Sequence, residues 1–179
     1  MLDKAEIAIV MASKHDMPVM MQAAAILDRF GVQYHIDILS THRNPDRMIE
    51  FAKTAMSKGF KVIIAGAGGA AHLPGMMASY TPLPVIGVPI KTATSIDGLD
   101  AIYSMLQMPG GVPVATMALD NAPNAAIFAL QILGCSHPSY LELVNAFKNK
   151  QRQDADKVAK LLAEQGYEKF AETLGIQLS

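Results

Sequence analysis

Apolar positions along the chain gather into five short runs rich in Ile and Val: "EIAIVMA" (6–12), "QYHIDIL" (33–39), "KVIIAGA" (61–67), "PVIGVP" (84–89) and "VPVATMAL" (112–119). The first, third and fourth are almost continuously apolar, the pattern of strands covered on both faces. Between the runs the spacing turns helical. In "MPVMMQAAAILDRFG", Met20, Ala23, Ala24 and Leu27 share one face, and Gly31 stands where a C-terminal cap belongs. In "NPDRMIEFAKTAMSKG", Met48, Phe51, Ala52, Ala55 and Met56 line one face, with Lys58 and Gly59 closing it. Asn44 followed by Pro45 is a helix-entry signal, because the Asn side chain caps free N–H groups and Pro has none to leave unpaired. Strand and helix alternate from end to end of this region. That order predicts a three-layer α/β/α sandwich around a parallel, doubly wound sheet of about five strands, flavodoxin-like or Rossmann-like.

After the fifth run comes an Ala-rich helical segment, "NAPNAAIFALQILG", and then a more polar stretch from about 139 to 174. There Tyr140, Val144, Phe147, Val158, Leu161 and Leu162 recur at roughly helical spacing. The expected organisation is one domain over 1–179, with a core of about 5–136 and a C-terminal helical extension of about 137–179. A helix that runs beyond an α/β core packs on a neighbouring subunit or folds back on its own chain.

Composition narrows the classes. Hydrophobic residues make up 51% of the chain and Trp is absent. The 12 Met residues read as adaptable filler. A net charge of −1 offers no basic face, so no nucleic-acid partner is expected. No apolar run reaches the roughly 20 residues that cross a bilayer, so no membrane association is expected. The start, "MLDKAEIAIVMAS", lacks the cationic leader of a signal peptide, and Cys135 is the only cysteine; both point to a cytoplasmic protein. Cys135 lies in "LQILGCSHPS" and reads as a structural residue at a helix end. His15, His35, His42, His72 and His137 are scattered, with no pair at i, i+4, so no metal site is expected, and His35 reads as a structural mid-strand residue. No G-x-S-x-G elbow offers a nucleophilic serine.

Open parallel sheets bind ligands beyond the carboxyl ends of their strands, which directs attention to five loops expected to converge on one edge. They are "MASKHDMP", "STHRNP", "AGAGGAAHLPG", "VPIKTATSIDG" and "ALDNAPN". The first two set hydroxyls and basic groups before helix N-termini, where free N–H groups favour an anion. Ser13 and Ser40 suit a phosphate, Arg43 can hold one through paired hydrogen bonds, and Asp16 suits ribose hydroxyls. Asp16 and Asn44 can equally be plain helix caps, with Ser13 and Ser40 serving turn geometry. In the third loop Gly66, Gly68 and Ala71 fit G-x-G-x-x-A, but the context is not that of a dinucleotide site. Gly66, Gly68 and Gly69 are expected to keep side chains away so that a planar ligand lies on the backbone, with His72 beside it. His72 can also be no more than a helix-start residue. His42 is the best proton carrier, since imidazole titrates near neutral pH.

At these loops the chain resembles class I PurE, the N5-carboxyaminoimidazole ribonucleotide mutase family. The resemblance covers roughly residues 5–148 and is carried by "VMASKHD", "STHRNPD", "VIIAGAGGAAHLPGMMAS", "PVIGVP", "YSMLQMPGGVPVAT" and "NAAIFALQIL". It implies a cofactor-free isomerisation of a small ribonucleotide, in which a carbamate on N5 is lost as CO2 and regained at C4 of the aminoimidazole. It implies that His42 is the general acid and base. Ser13, Asp16, Ser40 and Arg43 match positions that hold phosphate and ribose, and Ala67, Gly68, His72 and Leu73 match the loop around imidazole and carboxylate. It also implies a homo-octamer to which the C-terminal helix contributes. The chain departs from the family in "ASKHD", where Ala12 and His15 replace a glycine and a serine, and a protonated His15 would serve as an anion donor. "LDNAPNAA" is shorter than the family's loop and lacks its lysine, and "KTATSIDG" is longer. These departures leave open a carboxylase or decarboxylase acting on aminoimidazole ribonucleotide or another nucleotide, or a nucleotide-binding module without turnover. A binding module, however, has no need of His42.

Overall fold

The computed structural model describes residues 5–176. Its sheet holds five parallel strands: β1 Ile7–Met11, β2 Tyr34–Ile38, β3 Val62–Gly68, β4 Val85–Ile90 and β5 Ala115–Thr116. They lie in the order β2-β1-β3-β4-β5. Helices α1 Met17–Arg29, α2 Pro45–Thr54, α3 Leu73–Tyr80, α4 Leu99–Leu106 and α5 Ala122–Gly134 make the crossovers. This is the flavodoxin-like doubly wound arrangement.

The three continuously apolar runs became the central strands. Every residue of β1 and β4 is buried, as is all of β3 up to Ala67. α1 covers one face through Met20, Ala23, Ala24 and Leu27, all at 0% exposure, and packs beside Ala125, Ala126 and Ala129 of α5. The opposite face carries Ala8, Val10, Ile63 and Ala65 against Met48, Phe51 and Ala52 of α2, Met77 of α3 and Met105 of α4. Each large side chain so buried stabilises the fold by about 1.5–3 kcal/mol. Asn44 accepts the Arg47 N–H at 3.3 Å and Pro45 opens α2, as its sequence signals. Gly31 adopts a φ of +67°, the left-handed cap after α1.

Two expectations need correction. Met56 does not share the buried face of α2; it is 57% exposed, because the helix ends at Thr54 and helical spacing stops counting there. The fifth strand shrinks from eight residues to Ala115–Thr116. It is an edge strand bonded only to β4, and Pro113 has no N–H to extend the ladder. Cys135 stands at the helix end, as read: it is the exposed C-cap of α5, its N–H donating to the Ile132 and Leu133 carbonyls and its thiol 3.6 Å from the Gln131 carbonyl.

The chain divides into two compact units, one ending at His137 and one beginning at Pro138. The second is essentially α6, Pro138–Thr173, whose helical backbone breaks at Gly166 (φ 74°, ψ 163°). Val158, Leu161 and Leu162 on it are exposed. Among the described residues no helix is long and apolar enough to cross a membrane.

Candidate active site

β1 and β3 are neighbours, but their following helices, α1 and α3, cover opposite faces of the sheet. The loops after them therefore diverge and leave a crevice, where this fold binds ligands. A cavity of about 710 Å³ occupies it. All ten residues singled out from the sequence line this cavity: Ser13, His15, Asp16, Ser40, His42, Arg43, Ala67, Gly68, His72 and Leu73.

The first loop folds on itself. Ser13 caps the one-turn 3-10 helix Lys14–Asp16, its hydroxyl accepting the His15 N–H at 3.2 Å. The Asp16 carboxylate in turn accepts the Ser13 N–H at 2.8 Å and the Ser13 hydroxyl at 3.0 Å. Asp16 precedes α1 without capping it by its side chain, so the plain N-cap reading fails there. Burial pushes the Asp16 carboxyl above the usual range for an aspartate, and the Ser13 hydrogen bonds act in the opposite direction.

The second loop is pinned from both sides. Ser40 accepts the Arg43 N–H through its hydroxyl at 3.3 Å and the Asn44 N–H through its carbonyl at 3.0 Å. Arg47 ties α2 to the end of β2, with one guanidinium nitrogen 2.8 Å from both Asp37 oxygens and another 2.8 Å from the Ile38 carbonyl. The Arg43 guanidinium itself has no protein partner among the described residues. It stands free for an anion.

Of the glycines of the third loop, Gly68 and Gly69 line the cavity as expected and Gly66 does not, and each also meets a packing or backbone need of its own. A Cβ on Gly66 would run into the Met20 sulfur, so that glycine lets α1 close on the sheet and does not face the cavity. A Cβ on Gly68 would meet Thr92 and stand 2.7 Å from the Ile90 carbonyl, so Gly68 admits the loop after β4. Gly69 takes a φ of +62° and Ala71 one of +48°, which turns the chain into α3. His72 follows as the residue before α3, and its Nδ1 lies 2.7 Å from Nε2 of His42. The rings meet edge to face at 85°, with centroids 4.9 Å apart.

Sequence reasoning missed several lining residues, chiefly Thr41, Lys91, Thr92 and Thr94. Lys91 carries a signal in the sequence, a basic residue at a strand end like Arg43. Its ammonium pairs at 3.0 Å with Asp97, itself 85% exposed, and such a surface pair is worth at most about 1 kcal/mol. The Thr41 hydroxyl is buried without a protein partner. The loop after β5, expected among the cavity walls, is absent from them. It acts through a neighbour: Asp120 accepts the Lys91 N–H at 2.9 Å and so holds the loop after β4 in place.

Arg43 and Lys91 against the single carboxylate of Asp16 make the cavity suited to an anionic ligand, and the two histidines in contact at one wall are groups able to carry a proton. His35, expected to be structural, packs against Phe51 and Phe60, themselves in contact, at ring separations of 5.8 and 5.5 Å, outside the cavity.

Residues 6–154 match the family model described as AIR carboxylase. The chain is 54% identical over 164 residues to the N5-carboxyaminoimidazole ribonucleotide mutase of Thermotoga maritima, covering 92% of this chain and 95% of that protein. It is 52% identical over 159 residues to the phosphoribosylaminoimidazole carboxylase of Schizosaccharomyces pombe, covering 87% of this chain but 29% of that longer protein. The crystal structure of Treponema denticola PurE superposes with a TM-score of 0.76 at 26% identity, covering 90% of this chain and 98% of that one.

Proposed function

The chain belongs to the AIR carboxylase family, and from that premise we propose that it is an isomerase of purine biosynthesis converting N5-carboxyaminoimidazole ribonucleotide to its 4-carboxylated isomer. The observation that carries the reading is an identity of 54% with a mutase over nearly the whole of both chains.

The cavity supports the roles of its residues. Arg43, Ser13, Ser40 and His15 hold the phosphate, aided by the N–H groups at the start of α1. Asp16 takes the ribose hydroxyls. The imidazole lies along Ala67 and Gly68, with Leu73 behind it and His42 and His72 at its reacting edge. His42 gives a proton to N5 as the N5–carboxyl bond breaks and its electron pair returns to nitrogen. C4 then attacks the CO2, and the C4 proton leaves to His42 while its bonding pair returns to the ring. Position dominates this chemistry, because CO2 that escapes is lost.

His42 and His72 are both exposed in the single chain, so a neighbouring copy closing the cavity fits the need to retain CO2. Leu99, Tyr103 and Leu106 form an exposed apolar stripe along α4, with Ile96 exposed in the turn before it, suited to such contact. We infer a cytoplasmic homo-octamer on the family's pattern.

The alternative of direct carboxylation draws on the fungal relative, but this chain spans 29% of that protein and nearly all of the mutase. Freshly made N5-carboxyaminoimidazole ribonucleotide, assayed without bicarbonate, tests the two. Mutase activity predicts conversion by the natural chain and a loss of about 10²–10⁴-fold in kcat for His42→Asn with binding kept. Turnover that begins only when bicarbonate and aminoimidazole ribonucleotide are supplied would replace this reading with the carboxylase.

A further inference from the structure

His42 reaches the cavity with one ring nitrogen already engaged. Its Nε2 and His72 Nδ1 are 2.7 Å apart, a distance at which one hydrogen lies between them. Resting on the mutase reading, we propose that His72 is a positioning residue that accepts the Nε2 hydrogen of His42 and leaves His42 Nδ1 as the atom that gives and takes the reaction's proton.

The direction of the hydrogen bond follows from the chemistry. After His42 has protonated N5 it must be neutral with a free lone pair, ready for the C4 proton. If His72 donated to Nε2, the neutral His42 would carry its own hydrogen on Nδ1, and both nitrogens would be closed to C4. If His42 donates from Nε2, Nδ1 is open. The proton count then balances. His42 begins with hydrogens on both nitrogens, gives the Nδ1 hydrogen to N5, keeps the Nε2 hydrogen on His72 throughout, and regains a proton at Nδ1 from C4. This is the role a carboxylate plays beside a catalytic histidine, here taken by a second imidazole.

The surrounding structure is built to hold His72 as that acceptor. The ring stands at the N-terminal end of α3, a poor place for added positive charge, which suits a neutral acceptor. Ala71, just before it, is held at a φ of +48°, and backbone strain of this kind persists where surroundings fix it. Ser104 of α4 supplies the restraint, donating to the Ala70 carbonyl at 2.6 Å. The rings meet edge to face, and the short contact joins the two nitrogens this assignment requires, Nδ1 of His72 and Nε2 of His42.

The test uses the full chain with ¹⁵N-labelled histidine, and two variants of an exposed side chain. His72→Phe removes the acceptor, while His72→Asn keeps an acceptor near the Nδ1 position. The expected result is a kcat lowered on the order of 10–100-fold in His72→Phe with KM little changed, and most of the loss restored in His72→Asn. The His42 ¹⁵N shifts should report the Nε2–H tautomer in the natural chain and in His72→Asn, and a mixture in His72→Phe. A change confined to KM, or a tautomer of His42 indifferent to His72, would overturn the proposal. Absence of turnover in the natural chain would instead strike the mutase reading, and the tautomer measurement would still decide whether His72 positions His42.

Discussion

At one end of the cavity the Asp16 carboxylate accepts two hydrogen bonds from Ser13, whose own hydroxyl accepts the His15 N–H, all within four residues. At the other end His42 and His72 meet through one hydrogen bond between loops thirty residues apart, next to a strained Ala71. The first end is a local motif that forms whenever its loop folds. The second exists only when β2, β3 and their following loops are all in place. A phosphate needs a fixed cradle, and local bonding fixes the loop that lines it. A proton carrier needs a partner that sets its tautomer, and only tertiary structure brings one. Anchoring and chemistry thus rest on different scales of structure, although Arg43 and His42 are neighbours in the chain.

That adjacency allows the separation to be broken directly. Arg43→Ala removes a charge-assisted donor that no protein group occupies, and hydrogen bonds to charged groups are worth about 1.5–3 kcal/mol. Its KM should rise about 10–100-fold while kcat stays near that of the natural chain, the reverse of what His42→Asn does. Steady-state kinetics on the two variants side by side would read this. A fall in kcat matching the rise in KM would mean that the two ends act as one unit.

How much of this was legible in the sequence follows the same division. β1, β3 and β4 declared themselves because burial on both faces leaves no polar position to interrupt the run. The Asn44–Pro45 entry to α2 and the Gly31 cap after α1 were legible because each is a local rule about N–H groups or positive φ. The ten candidate site residues were found by their place at strand ends and by their resemblance to a family. The contact between His42 and His72 was not legible, since no spacing rule joins residues from two loops. Nor was the support Asp120 gives Lys91, which crosses 29 positions. The packing side of the glycines was not legible for a related cause: Gly66, which does not line the cavity, and Gly68, which does, answer to Met20 and Thr92, neighbours only in space.

Gly68 offers the next test, smaller in effect. A methyl group there meets Thr92 and the Ile90 carbonyl, and the backbone oxygen cannot rotate aside. Gly68→Ala should cost about 1–3 kcal/mol in urea unfolding, in the range of overpacked sites, and lower kcat along with it. If stability falls but kcat does not, the reacting wall tolerates movement of its supporting loop, and the contrast between the two ends weakens.

The smallest effect belongs to Asp16, and its sign is the informative part. Burial raises its carboxyl above the ordinary aspartate range, so the fold favours the protonated form. A carboxyl raised in the native state adds stability at pH values below its unfolded range and loses that contribution as pH climbs through the raised value. Once ionised, the carboxylate is a buried charge that the Ser13 hydrogen bonds and, to a lesser degree, the charge of His15 offset. Asp16→Asn has nearly the same shape, keeps an acceptor for the Ser13 N–H and carries no charge. Melting temperatures of the two proteins should diverge in the variant's favour as pH rises from the acid side to neutral, while its KM increases because the ribose hydroxyls lose a charged acceptor. A variant less stable at neutral pH, by a margin that does not change with pH, would show that the Ser13 bonds outweigh the burial. The cradle would then hold the carboxylate for the fold's sake, with no cost accepted for the ligand.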